Sequence, residues 1–294
     1  MTAFLSGISV LCFAASYAVA LACEASRLVF RSGVRGAVMV GFAAAGLLAH
    51  TLFLGWRAAT EAAVPLSSPF DWYLLAAWLL AAVYLYLTVT NPRTPVGLFM
   101  LPVVLALVGA AQASSRVPFP QSPATQVWGA IHGSFNLAAS VAVAIGAVAG
   151  LMWLIQAGRL ARKQPPLAGF RMPSLERLAR ITARTPAIAA WTAAAGFASG
   201  VVLNAVNRRR GLLETVPWTD PVVLRMAAVV AWLILADALA AAARRRPDGP
   251  RTGARLAVAS LGVLAVSILW GVLGPSRHGL PPAAPAPAIG EAAP

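Results

Sequence analysis

Charge is scarce in this sequence, and acidic side chains are the scarcest of all. Of 294 residues only 11% are charged and nine are Asp or Glu, whereas a soluble domain usually has about 25% charged residues. Hydrophobic residues make up 59% of the chain, and its mean hydropathy is +0.75. This balance excludes an ordinary soluble protein and predicts an integral membrane protein. The apolar runs are long and unbroken, which favours helices over the roughly ten-residue alternating strands of an outer-membrane barrel.

Cysteine is almost as rare. Cys12 and Cys23 both lie in the first apolar run and form no CxxC motif, so the sequence gives no support for a thiol–disulfide relay or a zinc site. The few carboxylates are scattered, and no pair suited to acid/base hydrolysis is evident. We therefore expect the protein not to be an enzyme. The N-terminus lacks the basic segment and cleavage site of a signal peptide, so we expect the first run to be a retained helix.

Eight apolar runs are candidates for membrane-spanning helices, which need about 20 residues each. They are Thr2–Phe30, Gly36–Arg57, Phe70–Thr90, Gly97–Ala113, Val127–Ala157, Pro186–Val206, Asp220–Ala243 and Ala254–Leu273. The fourth is short and contains Pro102, which predicts a kink or an incomplete span. The runs predict an all-α, polytopic bundle of about eight transmembrane helices over residues 1–275. The Pro/Ala-rich tail over 276–294 is predicted to be disordered.

Lys and Arg are concentrated in alternate loops. The net charge of +14 lies mostly in residues 27–35, 91–95, 158–185 and 242–255, where the positive-inside rule places it in the cytoplasm. This placement argues against a nucleic-acid partner. The other loops are poorer in positive charge, apart from Arg208–Arg210. We predict a multi-pass protein of the bacterial inner membrane with both termini outside. In the long inner loop, Pro173-Ser174 before Leu175 is typical of a helix start, and the following basic residues suit an amphipathic surface segment.

The three histidines are the main candidates for chemistry. His50 lies late in the second run, His132 lies early in the fifth, and His278 follows the eighth. The predicted topology puts all three in the outer half of the membrane or just beyond it. Neutral imidazole binds haem iron well, and two imidazoles can hold one iron from both faces. Each histidine has a simpler interpretation: the two within the spans as hydrogen-bonding groups between helices, and His278 as an ordinary loop residue.

Tryptophans mark the predicted outer boundary, among them Trp128 and Trp218. An interfacial aromatic belt explains this position without any function, and a platform for a planar ring system is the alternative. Asp220 follows Trp218 directly and precedes Pro221, so it is also a plausible N-cap of the seventh helix. Near the inner end of that helix, Asp237 is expected to pair with Arg244 or Arg245.

Four segments together resemble a known family. They are His50-Thr51-Leu52 with the following Ser67-Ser68-Pro69-Phe70 and Trp78, Trp128-Gly-Ala-Ile-His132, Pro173-Ser174-Leu175-Glu176-Arg177, and Trp218-Thr219-Asp220-Pro221 with Trp232. In order and spacing they resemble the CcsA/CcmC/HemX-type cytochrome c assembly membrane proteins, most closely the eight-helix HemX-like branch. The resemblance covers nearly the whole chain, from about His50 to His278.

The resemblance implies haem handling at the outer face of the membrane. It makes His132 and His278 the expected axial ligands of a b-type haem, His50 a transmembrane histidine, and Trp218 with Asp220 a reduced form of the family's tryptophan-rich segment. Members that complete cytochrome c maturation also have a histidine late in the following helix, where this chain has Leu239-Ala240-Ala241. That departure favours an accessory, HemX-like protein over a synthase component.

Two hypotheses follow, with a third behind them. In the first, the protein binds or delivers haem through His132, His278 and His50, beside Trp218, Asp220 and Trp128, with Arg208–Arg210 facing the propionates. In the second, it is a non-catalytic scaffold or regulator that contacts cytochrome c assembly or tetrapyrrole-synthesis proteins and has no haem site of its own. A transporter would call for more polar groups near the midplane than Asn136 and Asp237.

Overall fold

A computed structural model describes residues 9–27, 33–60, 68–119, 123–164, 172–210 and 216–273. These residues form eight helices and contain no strand: α1 (Val10–Ser26), α2 (Gly33–Thr60), α3 (Pro69–Thr90), α4 (Gly97–Gln112), α5 (Pro123–Ala161), α6 (Leu175–Arg209), α7 (Pro221–Ala243) and α8 (Gly249–Leu273). The predicted all-helical bundle is thereby confirmed. The tail over 276–294 and His278 lie outside the described residues.

Six of the described helices are long and apolar enough to cross a membrane, namely α2, α3 and α5 to α8. The described parts of α1 and α4 are shorter, with 17 and 16 residues. Pro102 lies inside α4, which continues through it. The structure thus agrees with a multi-pass membrane protein, and the described parts of α1 and α4 are shorter than a full span.

The predicted amphipathic segment of the inner loop and the sixth span form one helix, α6. Its first turn is capped by Ser174, whose hydroxyl accepts a hydrogen bond from the Arg177 amide at 3.2 Å, so the predicted helix start is confirmed. The helix then continues through Pro186. Proline has no N–H to donate, so Pro186 frees the carbonyl of Thr182, four residues before it. Membrane helices tolerate a proline where side chains and neighbouring helices satisfy such a carbonyl.

The helices pack in two groups that share α5. The first core joins α1 to α4 around Phe13, Tyr17, Leu74 and Tyr84, and α5 adds Met152 to it. The second core joins α5 to α8 around alanines, valines and one leucine, namely Ala139, Ala142, Val143, Ala189, Ala190, Ala193, Val229, Val230 and Leu233. Small side chains let helix backbones approach closely, which is the usual basis of packing between membrane helices. The most extensive helix pair is α5 with α6.

One end of the bundle gathers the N-termini of α3, α5 and α7 with the C-termini of α2, α4, α6 and α8. We call it the outer end, after the predicted orientation. Asp71 in the first turn of α3 forms an ion pair with Arg57 at the end of α2, and the Phe70 amide donates to the Ser115 carbonyl after α4 at 3.3 Å. At the opposite, inner end, Asp237 lies 3.9 Å from Arg244, as the sequence predicts.

Candidate functional site

His132 joins α5 to α6 near the outer end of the second group. Its Nδ1 atom lies 2.7 Å from the carbonyl oxygen of Gly196. A carbonyl oxygen can only accept, so Nδ1 carries the proton and donates it, and Nε2 keeps its lone pair. The Asn136 amide nitrogen lies 3.2 Å from Nε2. The side chain is partly buried. The structure therefore fixes the tautomer in which Nε2 is the atom able to bind a metal.

Two glycines of α6 make room for this arrangement. A Cβ atom at Gly200 would lie 2.8 Å from the His132 Nδ1, and one at Gly196 would lie 3.0 Å from the Asn136 side chain. Gly196 and Gly200 are four residues apart, as are His132 and Asn136, so each pair forms one stripe along its helix. The polar stripe of α5 lies directly against the glycine stripe of α6. Larger residues on α6 would push the imidazole away or separate the two helices.

Trp72 of α3 packs against α5 on the other side of the same turn. A Cβ atom at Gly133 would overlap the Trp72 ring, so the indole lies against the α5 backbone next to His132. Trp128 lies one turn before His132 on α5 and is partly buried. Trp72, like Trp128, is one of the tryptophans that the sequence places at the outer boundary. The structure brings Trp72 to the backbone beside the imidazole, through a contact between α3 and α5 that a sequence alone does not reveal.

Trp218 and Asp220 lie in the segment that joins α6 to α7. Asp220 is 6% exposed, and its Oδ1 accepts a hydrogen bond from the Val222 amide at 2.8 Å, so its predicted role as N-cap of α7 is confirmed. Trp218 is 44% exposed, and the Arg208 guanidinium lies 5.5 Å from the centre of its ring. This distance is within the range of cation–π attraction. One of the three predicted propionate-binding arginines therefore stacks on the predicted aromatic wall.

The segment is fastened to α6 by Asn204. Its Oδ1 accepts from the Val216 amide and its Nδ2 donates to the Val216 carbonyl, both at 2.9 Å. These two bonds fix the position of Val216 relative to α6, and Trp218 and Asp220 follow it in the chain. Asn204 is 9% exposed, and the sequence analysis missed it because an asparagine late in an apolar run has no distinctive signature.

His50 lies in the first group of helices. It is 0% exposed, its ring stacks on Phe13 at 4.0 Å between centroids, and its Nδ1 lies 3.3 Å from the Tyr17 hydroxyl. Its Nε2 is buried and has no hydrogen-bond partner in the described chain. Among the described residues, α2 makes no direct packing contact with α5. His50 and His132 therefore lie on helices that do not pack directly against each other.

A shared site for all three histidines stays a prediction, since His278 falls outside the described residues. Within the ranges that the structure describes, no group of three or more His, Cys, Asp or Glu side chains is placed to hold a metal ion.

Two charged side chains within the helices were not singled out from the sequence. Arg225 lies in the second turn of α7 at the outer end. Glu24 of α1 is 1% exposed and pairs with Arg27 at 3.0 Å near the inner end. The signal for both is the same: each is the only residue of its charge sign within its apolar run, apart from residues at the run's ends. An ionisable group at such a position indicates a functional site by default.

The chain was compared with models of known families, with curated protein sequences and with solved structures, and none of the three comparisons found a match.

Proposed function

We propose that the protein binds or delivers haem at the outer end of the bundle, with His132 as an axial ligand of the iron. The observation that carries this proposal is the 2.7 Å contact between His132 Nδ1 and the Gly196 carbonyl. Metal-ligating histidines almost always donate their other ring N–H to a carbonyl, a carboxylate or water, which fixes the ring and makes the ligating nitrogen more basic. His132 has this arrangement, with Nε2 left to bind.

The surrounding residues fit a planar, anionic and largely apolar cofactor. The Trp72 indole lies beside His132, Trp128 is one turn away, and the half-exposed Trp218 lies in the segment before α7. Aromatic faces of this kind pack well against a porphyrin. When bound, haem would supply an iron centre whose properties depend on its axial ligands and surroundings. The protein's part is to hold the imidazole in one tautomer and to surround the ring with apolar and aromatic side chains.

Asn136 gives the free imidazole a partner. Its Nδ2 lies 3.2 Å from Nε2 and 2.8 Å from the His132 carbonyl. Iron binding at Nε2 would replace the first of these contacts and leave the second in place. The Asn136 side chain therefore pairs with Nε2 when no cofactor is bound. When haem binds, only this longer hydrogen bond is lost. In this proposal the second axial ligand is His278, and His50 is a further ligand or supporting group.

The test is to purify the protein in detergent, add haem and record the absorption spectrum. We expect a Soret band that is lost or shifted in His132→Ala. Thr192→Ala is the matched control, because the hydroxyl of this partly buried α6 residue bonds only within its own helix. No Soret band in the wild-type protein, or a band unchanged by His132→Ala combined with His278→Ala, would contradict the proposal.

The second candidate is a scaffold or regulator of tetrapyrrole synthesis that binds no haem. It is favoured by an apolar cleft of about 80 Å³ at the inner end, between α3, α4, α5 and α6, with Arg177 at its edge. A partner contacting this region would also meet the exposed Glu176 and Arg180. If this candidate is right, alanine at all three histidines leaves function intact, whereas substitutions within 174–184 abolish it.

A further inference from the structure

Arg225 is an arginine at membrane depth without a partner in the described chain. It lies in the second turn of α7 and is partly buried. Its Nε atom is inaccessible to solvent and has no hydrogen-bond partner, and none of the ion pairs between described residues includes it. A cation inside a membrane protein is costly unless it is paired or reaches the interface. The structure thus contains a guanidinium that forms no ion pair with a described side chain.

Three helices shape the space around this guanidinium. A Cβ atom at Gly271 of α8 would lie 2.9 Å from Nη2, 3.0 Å from Nη1 and 3.1 Å from Cζ, so the planar group packs face-on against the α8 backbone. Tyr73 in the second turn of α3 is close enough to interact with it electrostatically. Gly271 is therefore the residue that lets the planar group lie flat against α8. The Nε–H donor on the edge of the guanidinium is buried and has no partner in the described chain.

The nearest carboxylate does not pair with Arg225. The charge of Asp220 acts on the arginine, but its Oδ1 binds the Val222 amide at 2.8 Å as the helix cap, and no ion pair joins the two side chains within 4.0 Å. Arg225 lies about 6 Å along the axis from the start of α7, at 1.5 Å per residue. A long arginine side chain at that depth reaches the polar boundary of a membrane.

We propose that Arg225 is an oxyanion-binding site at the outer end, and that it takes a carboxylate or phosphate of an amphiphilic molecule lying between α3, α7 and α8. Guanidinium forks bind both groups with paired hydrogen bonds. The oxyanion has two sources. One is a carboxylate of the haem proposed above, and this source rests on the proposed function. The other is the headgroup of an anionic phospholipid, and this source is independent of it.

The test uses the full-length protein in nanodiscs of phosphatidylcholine. Binding of ferric protoporphyrin and of its dimethyl ester, which has no free carboxylate, is measured by absorbance. Retention of phosphatidylglycerol is measured by native mass spectrometry of detergent-purified protein. The variants are Arg225→Gln, Arg225→Lys and Gly271→Ala, the last of which keeps the charge and displaces the guanidinium. Arg245→Gln is the charge-matched control, because Arg245 is exposed in the α7–α8 connection. Gly262→Ala is the glycine control, because nothing lies within 4 Å of its added Cβ.

A charge-assisted hydrogen bond is worth enough to expect a loss of at least about tenfold in affinity for Arg225→Gln. Loss for ferric protoporphyrin but not for its ester supports the carboxylate source. Loss of phosphatidylglycerol supports the lipid source. That conclusion holds even if His132→Ala leaves the Soret band unchanged and the proposed function fails. Gly271→Ala is expected to reproduce either loss, and Arg225→Lys to show part of it. If Arg225→Gln and Gly271→Ala bind all three probes as tightly as the two controls do, the oxyanion site is overturned.

Discussion

The Nδ1 atom of His132 donates to the Gly196 carbonyl at 2.7 Å and thereby ties α5 to α6. This bond does two things at once. It satisfies a polar group inside the membrane, and it leaves Nε2 as the nitrogen with a lone pair, 3.2 Å from the Asn136 amide nitrogen. Gly200 lies opposite the same ring. The position of the imidazole therefore depends on small residues of the neighbouring helix. Substituting those residues tests the role of His132 without removing its side chain.

Gly200→Ala tests that dependence. The added Cβ would lie 2.8 Å from the His132 Nδ1, so the imidazole must move or the helices must separate. Overpacking of this kind costs about 1–3 kcal/mol of stability. Gly262→Ala has open space around it and should be neutral or slightly stabilising, because alanine is the better helix former. Unfolding in mixed detergent micelles measures both. Equal stability of the two variants would mean that α5 and α6 are not packed as described.

Tyr17 and His50 form a second testable pair, in the core of the first group. Tyr17→Phe removes the 3.3 Å contact to His50 Nδ1. Since Nε2 has no partner in the described chain, this variant leaves a fully buried imidazole with neither nitrogen paired, and should cost about 1–3 kcal/mol. Tyr17→Phe combined with His50→Phe removes both polar groups and should recover most of that loss.

A double-mutant cycle on the unfolding free energy isolates the coupling between these two side chains. His50→Phe alone is the third corner of the cycle. Additive effects of the two substitutions would show that the tyrosine and the histidine do not interact.

Asn204→Ala is expected to loosen the segment that leads into α7. It removes both hydrogen bonds to Val216, at a cost of about 1–3 kcal/mol for the groups left unpaired. The local effect should be a rise in quenching of Trp218 fluorescence by acrylamide, measured in a variant in which the other tryptophans are phenylalanine. Asn207→Ala, one turn later on the same helix, is the control. Unchanged quenching in Asn204→Ala would show that the asparagine does not hold this segment.

Local signals in the sequence account for most of the fold. Runs of apolar residues predict the helices. Capping residues close in the sequence predict the starts of two of them: Ser174 caps α6, and Asp220 followed by Pro221 begins α7. The continuity of α6 through Pro186 was not predicted. A proline usually ends or kinks a helix, and whether it does so in a membrane depends on neighbouring groups that satisfy the freed carbonyls.

The site was only partly predictable, because it depends on which helices touch. His132 stands out in the sequence as an ionisable side chain in an apolar run. The roles of Gly196 and Gly200 become evident only in the structure, where α6 lies against α5. Trp72 and Arg225 are similar cases, since their neighbours Gly133 and Gly271 come from other helices. No short-range pattern specifies those pairings. Whether His132 and His50 converge could not be predicted from the sequence, because it depends on helix pairing, and α2 and α5 are not direct neighbours among the described residues.

The central claim is that the His132 imidazole binds haem iron through Nε2, and rescue by free imidazole tests it most directly. In His132→Gly the side chain is removed and the α5 backbone is kept. We predict that this variant shows a Soret band displaced from that of the wild type, and that millimolar imidazole restores the wild-type position, while Thr192→Ala needs no rescue. A wild-type Soret band in His132→Gly without imidazole, or no band in any of the proteins, would contradict the account.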